Sequence, residues 1–348
     1  MKSEPFISVC LPLYETEPFL AQCLRSVCLQ DFDSFEVIVV SDASRGKDEN
    51  GWSGRKITKS VWKECRKIRK KQGLSDIKVR FVEHRENMGL VEVRRSLCHY
   101  ARGTYISYID SDDVMVQGAL KAFFEAAEKH RADIIQGRST AGKFDSEGNF
   151  IPTEKNRYAQ IAIGEVCGYE IVRAWLSGGK LSGVLWAKLI RRSLLETVFE
   201  RIPHIECNMR EDFLIFFFIA THAEKYVGIE NQVYRYRVAS GMSSVRKIDS
   251  LQRLRTICST ASVFTVISES EELKALDENE VNCVRRNVSA HLADNIVQLR
   301  ETVVPELREE AHRMLCEYWG ESFVQKIESA VEKNAANGQK VIDEKMQI

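Results

Sequence analysis

The chain has 348 residues, with 50 Lys and Arg against 50 Asp and Glu and a formal net charge of zero. That balance excludes a global field drawing the protein to nucleic acid or to an acidic polymer, so any anion-binding surface has to be local. The length exceeds what one hydrophobic core usually serves, which predicts two domains.

Ten cysteines occur without a CxxC pair, a thiol usage that fits a reducing compartment better than a disulfide frame or a zinc site. The N-terminal MKSEPFISVCLPLY lacks the cationic-then-apolar pattern of a signal peptide. The longest apolar run, FLIFFFIA from Phe213 to Ala220, falls far below the roughly 20 residues that span a bilayer. A cytoplasmic location is the expectation.

In chain order, FISVCLPL, FEVIVV, IKVRFVEH, TYISYID and DIIQG are short runs rich in β-branched or aromatic residues, and each is separated from the next by enough chain for a helix. Continuous apolar strands imply cover on both faces, so the pattern predicts an α/β fold, a parallel sheet with helices on both sides. Between the first two runs, Leu20, Cys23, Leu24, Val27 and Cys28 recur at helical spacing, with Thr16 as N-cap and Pro18 in the first turn. From Arg55 to Lys71 nine Lys and Arg face one acid, Glu64, while Ile57, Val61, Cys65 and Ile68 form an apolar stripe. This predicts a helix docked on the body with a cationic outer face. Charge runs ordinarily mean solvation; peripheral contact with an anionic membrane surface or a phosphorylated lipid acceptor is the alternative.

Leu120, Phe123, Phe124 and Ala127 mark a further amphipathic helix. Beyond residue 138 the pattern loosens: GKFDSEGNF predicts a hairpin turn, and helical and irregular pieces run through LWAKLIRRSLL. EDFLIFFFIATHA predicts a buried helix, QVYRYRV a strand, and the chain from Asp249 onward is charge-dense and helical, broken internally only by Pro305. His204 and His222 have no partner at metal-ligand spacing and are expected to be structural or at the surface.

The stretch TYISYIDSDDVM aims Asp110, Asp112 and Asp113 at the end of a buried strand. Ligands of open α/β sheets bind beyond the carboxyl ends of strands. Two carboxylates one residue apart can converge on a hard cation that also holds phosphate oxygens. They can equally solvate a turn and favour the following helix through its dipole. A strand followed by DSDDVM also resembles the haloacid-dehalogenase phosphatase motif, with Asp110 as nucleophile and Asp112 as acid. That family carries the motif on its first strand and needs a later lysine and acidic motif; here three strands precede it and no GDxxxD-like segment follows.

Three segments in order, ISVCLPLYETEPFLAQCLRSVCLQDFDSFEVIVVSDAS, ENMGLVEVRRSLCHYARGTYISYIDSDD and REDFLIFFF, resemble the family 2 glycosyltransferases of the GT-A fold, over roughly residues 6–244. The resemblance implies a Rossmann-like mixed or parallel sheet, with residues 1–245 as the catalytic domain (1–137 the nucleotide-binding half, 138–245 the acceptor half, roofing the site). Residues 246–348 would then be a C-terminal helical domain serving dimerisation or acceptor binding. It implies that Pro12 and Tyr14 lie near the nucleotide base, where an aromatic ring offers a stacking face, and that Asp42 accepts the imide N–H of uracil. Glu17 and Arg94 would also lie near the nucleotide, Arg94 facing its phosphates. Asp110, Ser111 and Asp112 match the family's DxD, with Asp112 on Mn²⁺ or Mg²⁺ and Asp110 on ribose and cation. Glu211 and Asp212 match its ED motif, in which Asp212 is the base taking the acceptor proton. Arg237, in YRYRVASGMSS, could face the diphosphate, and Trp186, in VLWAKLIRR, could be a platform for a sugar ring or a buried core residue.

Taken singly, Asp42 is also a plain turn former, Arg94 a surface charge, and Glu211 and Asp212 an acidic first helical turn. The chain departs from the family pattern at Ser41, where an acid is usual, at Glu15, where asparagine is usual, and at Met242, where serine is common. The implied activity is inverting, metal-dependent transfer from a nucleotide-sugar, a UDP-sugar by preference, to a hydroxyl of a glycan or lipid-linked glycan in surface polysaccharide or lipopolysaccharide synthesis. The alternative from another class is a nucleotide-sugar-binding scaffold that has lost turnover.

Overall fold

The computed structural model describes residues 4–145, 147–153, 159–205, 207, 209–238 and 248–336. β1 (Ile7–Leu13) leads through α1 (Glu17–Cys28) to β2 (Phe35–Ser41), then through α2 (Gly54–Lys71) to β3 (Lys78–Glu83) and through α3 (Leu90–Tyr100) to β4 (Tyr105–Tyr108). All four strands pair in parallel in the order β3-β2-β1-β4. Every residue of β1, β2 and β4 is buried, as continuous apolar runs require.

The second half alternates less regularly: β5 (Val114–Met115), α4 (Ala119–His130), β6 (Ile134–Phe144), β7 (Phe150–Pro152), β8 (Gly164–Cys167), α5 (Glu170–Leu176), β9 (Lys188–Arg191), α6 (Arg192–Arg201), α7 (Glu211–His222) and β10 (Lys225–Arg237). The sheet continues β4-β9-β6-β10-β5, with β7 on β6 and β8 on β10. It is therefore mixed. A parallel neighbour for β4 is expected from DIIQG, but β9 inserts antiparallel to both β4 and β6. Four residues are too few for a readable period, which is why LWAKLIRR looks irregular in sequence.

One face of the sheet is covered by α1, α2 and α4, through Leu20, Cys23, Leu24, Ile57, Val61, Leu120 and Phe123. The other is covered by α3, α5, α6 and α7. Helix α7 is buried without interruption from Phe213 to Ala220, so it has no solvent face to make it amphipathic. The expected hairpin joins β6 to β7, with the Asp145 carboxylate accepting the N–H groups of Glu147 at 2.9 Å and Asn149 at 2.8 Å; Ser146 lies outside the described residues.

Helix α2 docks as expected with one correction. Arg69 is not on its cationic face: it is fully buried, donating to the carbonyls of Ser75, Gln30 and Phe32 at 2.8, 2.6 and 2.8 Å and to Asp33 at 3.0 Å. The other eight basic side chains are exposed.

The C-terminal region is helical: α8 (Leu251–Cys258), α9 (Thr260–Glu269), α10 (Glu271–Lys274), α11 (Glu278–Glu301), a 3₁₀ turn at Pro305–Leu307, α12 (Arg308–Trp319) and α13 (Glu321–Ala336). Val263, Phe264, Ile267, Cys283 and Val284 belong to the same core as α7, and the Phe264 ring lies 5.7 Å from that of Phe213. Leu254, Leu292, Ile296, Leu315 and Val324 form a further core. Among the described residues no helix is long and apolar enough to cross a membrane. All ten cysteines are free thiols, and Cys23 and Cys28 point into the core as their spacing predicts.

Candidate active site

Strand β4 ends one residue before Ile109, and the chain then turns sharply: the Asp113 N–H donates to the Asp110 carbonyl at 3.0 Å, closing a four-residue turn over DSDD. β5 follows at once and pairs with β10, through Met115 with Tyr234 and Val114 with Arg235, which brings the end of β10 against the turn. Asp113 is the lock. Its carboxylate accepts Tyr234 Oη at 2.6 Å and the Arg237 N–H at 2.7 Å, and the residue is 1% exposed. Burial, with Asp112 and Asp110 nearby, pushes its pKa well up. In sequence Asp113 is one of the acidic cluster without a role of its own; its signal is that DSDD holds one acid more than a DxD needs.

Ser111 is buried, and its hydroxyl shares a 2.6 Å hydrogen bond with that of Thr16. Thr16 therefore occupies the N-cap position of α1 without a side-chain cap, contrary to expectation, because its oxygen is used to tie α1 to the DSDD turn. Arg237 props the same turn from the other side. Its Nε donates to the Asp112 carbonyl at 2.7 Å, its Nη2 bonds Gln22, and its guanidinium lies 4.7 Å from the Phe19 ring and 4.1 Å from that of Phe144. The residues after Val238 up to 247, with Met242 among them, lie outside the described residues.

Arg94 joins this turn to the start of α7. It is 2% exposed on α3; its Nη2 donates to Asp110 Oδ1 at 3.2 Å and to Glu211 Oε1 at 3.1 Å, and its Nε to the same Glu211 oxygen at 3.3 Å. Its position is fixed from below by Tyr108, whose ring lies 5.1 Å under the guanidinium and whose hydroxyl donates to the Arg94 carbonyl at 3.3 Å. Burial opposes the charge, but Asp110 and Glu211 more than offset it and hold the guanidinium above its ordinary pKa. Its buried Nη1 meets no acceptor among the described residues.

Two acids sharing one guanidinium are under-neutralised. Burial raises Glu211 to about 7, with Arg94 pulling down and Asp212 and Asp110 pushing up. Asp212 is raised as well, by burial first, against the pull of Arg210 and of the Phe213 N–H, which donates to its Oδ1 at 2.7 Å. The residue before the pair, Arg210, adopts a left-handed backbone (φ 65°), and its Nε donates to His291 Nε2 on α11 at 2.9 Å. Nothing in the local sequence signals that contact.

On the other side of the edge, Pro12 is buried within β1 and Tyr14 just beyond it is 40% exposed. Glu15 has φ 55°, a left-handed conformation that asparagine tolerates better than glutamate. The strain is held by its N–H donating to Ser44 Oγ at 2.8 Å and by the Arg45 N–H on its carboxylate at 3.1 Å. Ser44 also donates to Glu17 Oε1 at 2.7 Å, while Glu17 Oε2, buried, meets no donor among the described residues.

Asp42 is not poised as an open acceptor. Its Oδ1 takes His84 Nδ1 at 2.8 Å and the Met88 N–H at 2.9 Å, and its Oδ2 takes the Gly89 N–H at 3.0 Å. Three of about four acceptor positions are filled by the protein. Gly89 sits at φ 86°, ψ 161°, a conformation open essentially to glycine alone, so Asp42 pins the strained entry into α3. Trp186 is 5% exposed and stacked on Tyr234 at 4.7 Å and Tyr236 at 5.5 Å; it is a core residue and not a sugar platform. His204 is mostly exposed beside Glu92, and His222 pairs with the Phe218 carbonyl and Glu272.

Two surface clefts of about 400 and 410 Å³ lie elsewhere, one lined by Tyr169, His222 and Glu272, the other by Asp33, Phe124 and Lys121. Neither contains these carboxylates, so the site is defined by the convergence of β4, α3 and α7 on Arg94.

A mixed α/β sheet with acids gathered beyond its central strand is the GT-A arrangement. Residues 8–199, more than half of the chain, match Glycosyl transferase family 2, and the protein belongs to that family. It is 25% identical to glycosyltransferase GlyG of Streptococcus pneumoniae over 68% of this chain and 71% of GlyG. It is 30% identical to the uncharacterized glycosyltransferase EpsJ of Bacillus subtilis over 38% of this chain, spanning 33% of EpsJ's own length. Among solved structures, S. aureus TarS 1-349 in complex with UDP-GlcNAc superposes with a TM-score of 0.52 at 18% identity, covering 96% of this chain and 92% of that one. The mannosyltransferase PcManGT of Pyrobaculum calidifontis, in complex with GDP-Man and Mn²⁺, gives 0.50 at 14% identity, with 95% and 88% covered. These likenesses speak for the fold.

Proposed function

We propose that the protein transfers a sugar from a nucleotide donor, a UDP-sugar by preference, to a hydroxyl of a glycan or lipid-linked glycan in cell-surface polysaccharide synthesis. One observation carries this reading: the Arg94 guanidinium bonds both Asp110 and Glu211, so the DSDD turn and the start of α7 serve one site. The orphaned Arg94 Nη1 suits a phosphate or sugar oxygen of the donor. Tyr14 offers the base an aromatic face, and Asp42 acts mainly by fixing the loop through His84 and Gly89, with one acceptor position left for an imide N–H.

The donor set fits a hard cation. Among the described residues no cluster of three His, Cys, Asp or Glu could hold a metal, but Mg²⁺ and Mn²⁺ at phosphates need only one or two carboxylates, here Asp112 and Asp110. When bound, that cation would neutralise charge on the departing diphosphate. Asp212 takes the acceptor proton as the acceptor oxygen bonds to the anomeric carbon. The bond from that carbon to the diphosphate oxygen breaks with its electron pair, and the configuration inverts. Arg94 holds Glu211 and Asp110 in register through the step.

Residues 246–348 are read as a helical region appended to the 1–245 domain, helping to seat the acceptor or a second copy, and the exposed lysines of α2 as a contact for anionic lipid in a cytoplasmic protein. The test is nucleotide release from a panel of UDP- and GDP-sugars with Mn²⁺ or Mg²⁺. Cation-dependent UDP release supports the reading; tight binding with no turnover, even with glycan acceptors, would make the protein a scaffold. Phosphate release from simple monoesters, abolished by Asp110→Asn, would favour a phosphatase.

A further inference from the structure

Lys188 is fully buried in β9, and no other lysine among the described residues is buried. Its Nζ donates to the Val184 carbonyl at 2.5 Å and to Ser182 Oγ at 3.3 Å, and lies 5.1 Å from the centroid of the Phe216 ring. Among the described residues no carboxylate lies within ion-pair distance of it. A lone ammonium is costly to bury, and an apolar side chain of equal length would fill the space without that cost. A group retained against such a cost calls for a function.

Phe216 indicates which. It follows Asp212 by four residues on α7, so the two share one face of the helix. The ammonium thus lies beside the residue one turn C-terminal to Asp212 on that face. We propose that Lys188 is a positioning residue for sugar transfer, its buried ammonium supplying positive charge to the Asp212 carboxylate from the Phe216 turn of α7. This rests on the reading of Asp212 as the proton acceptor.

The charged groups around Asp212 give the ammonium its role. Glu211 adjoins it, Asp110 lies across Arg94, and the charges of Arg94 and Arg210 also act on it, with the Cys207 thiol nearby. When donor and acceptor exclude water, the charge of Lys188 acts on Asp212 together with those of Arg94 and Arg210. Asp212 is in turn the charged group that acts on Lys188, whose pKa burial lowers to about 7. The ammonium is therefore present at acid pH and is lost as pH rises through neutrality, which gives turnover an alkaline limb beside the acid limb set by Asp212.

The experiment is the pH profile of kcat/KM for UDP release by wild type, Lys188→Met, Lys188→Gln and Lys188→Arg. Gln keeps a hydrogen bond to the Val184 carbonyl without charge, should Met disturb folding. Loss of the charge is expected to remove the alkaline limb near neutrality, raise the acid limb by about half a unit or more, and lower turnover at pH 6 by about threefold or more. Arginine, charged throughout, is expected to keep the acid limb and move the alkaline limb beyond pH 9. Wild-type limbs in both Met and Gln variants would overturn the proposal, even if their melting temperatures changed. Asp212→Asn separates the two layers: wild-type turnover in that variant would overturn the reading of Asp212 and this proposal with it, whereas an inactive Asp212→Asn beside unaltered Lys188 profiles would overturn this proposal alone.

Discussion

Asp42 and Asp113 are buried acids whose oxygens are occupied by protein donors: His84 and two backbone N–H groups for the first, Tyr234 and one backbone N–H for the second. Glu211 and Asp110, by contrast, lean on a single guanidinium, and Asp212 takes its hydrogen bond from the next N–H along the chain. The first pair holds loops; each hydrogen bond it accepts fixes a turn that the backbone alone would not hold. The second group is short of donors, and acids in that condition gain most from a ligand or a transferred proton. A residue's place on the sheet edge matters less than how completely its lone pairs are satisfied.

Arg94→Met would break this contrast most severely. It leaves the buried Glu211 and the half-buried Asp110 without their common partner, and removal of one side of a buried charge pair costs about 3 to 5 kcal/mol. Denaturant unfolding is expected to register that loss together with loss of turnover. Asp42→Asn is the milder counterpart: an amide cannot accept at both ends, so one of the Met88 and Gly89 N–H groups loses its acceptor, at about 1 to 3 kcal/mol. Its expected signature is lower stability and a raised donor KM with kcat largely kept; a collapse of kcat instead would mean that Asp42 acts in the chemistry.

The smallest effect belongs to the surface. Charge reversal at Lys59, Lys63 and Lys67, all exposed on α2, should change stability by no more than about 0.5 kcal/mol. It should abolish co-sedimentation with phosphatidylglycerol vesicles while leaving behaviour with phosphatidylcholine unchanged. Equal sedimentation of variant and wild type would leave that face as solvated charge.

Much of this was legible in sequence where one element carries the signal by itself. The apolar runs locate β1, β2 and β4, FLIFFFIA locates the buried α7, and DSDD and ED mark the acids that converge. What escaped depends on partners from elsewhere in the chain. The burial of Arg69 reflects carbonyls of the α1–β2 connection, the hydroxyl of Thr16 is claimed by Ser111 rather than by its own helix, and the lone lysine in VLWAKLI gains meaning only beside Phe216. Hydrophobic periodicity reports which way a side chain faces; it does not report which distant group satisfies its hydrogen bonds.

In the proposed reaction, acids of the DSDD turn hold the donor through a cation while Asp212 acts only in the transfer step. Calorimetric titration of UDP with Mn²⁺, run beside UDP-sugar turnover, separates the two tasks. Asp112→Asn should lose Mn²⁺-dependent UDP binding, and Asp212→Asn should bind as wild type does while turnover falls about 10²- to 10⁴-fold. Wild-type binding by Asp112→Asn, or wild-type turnover by Asp212→Asn, would contradict this division of tasks.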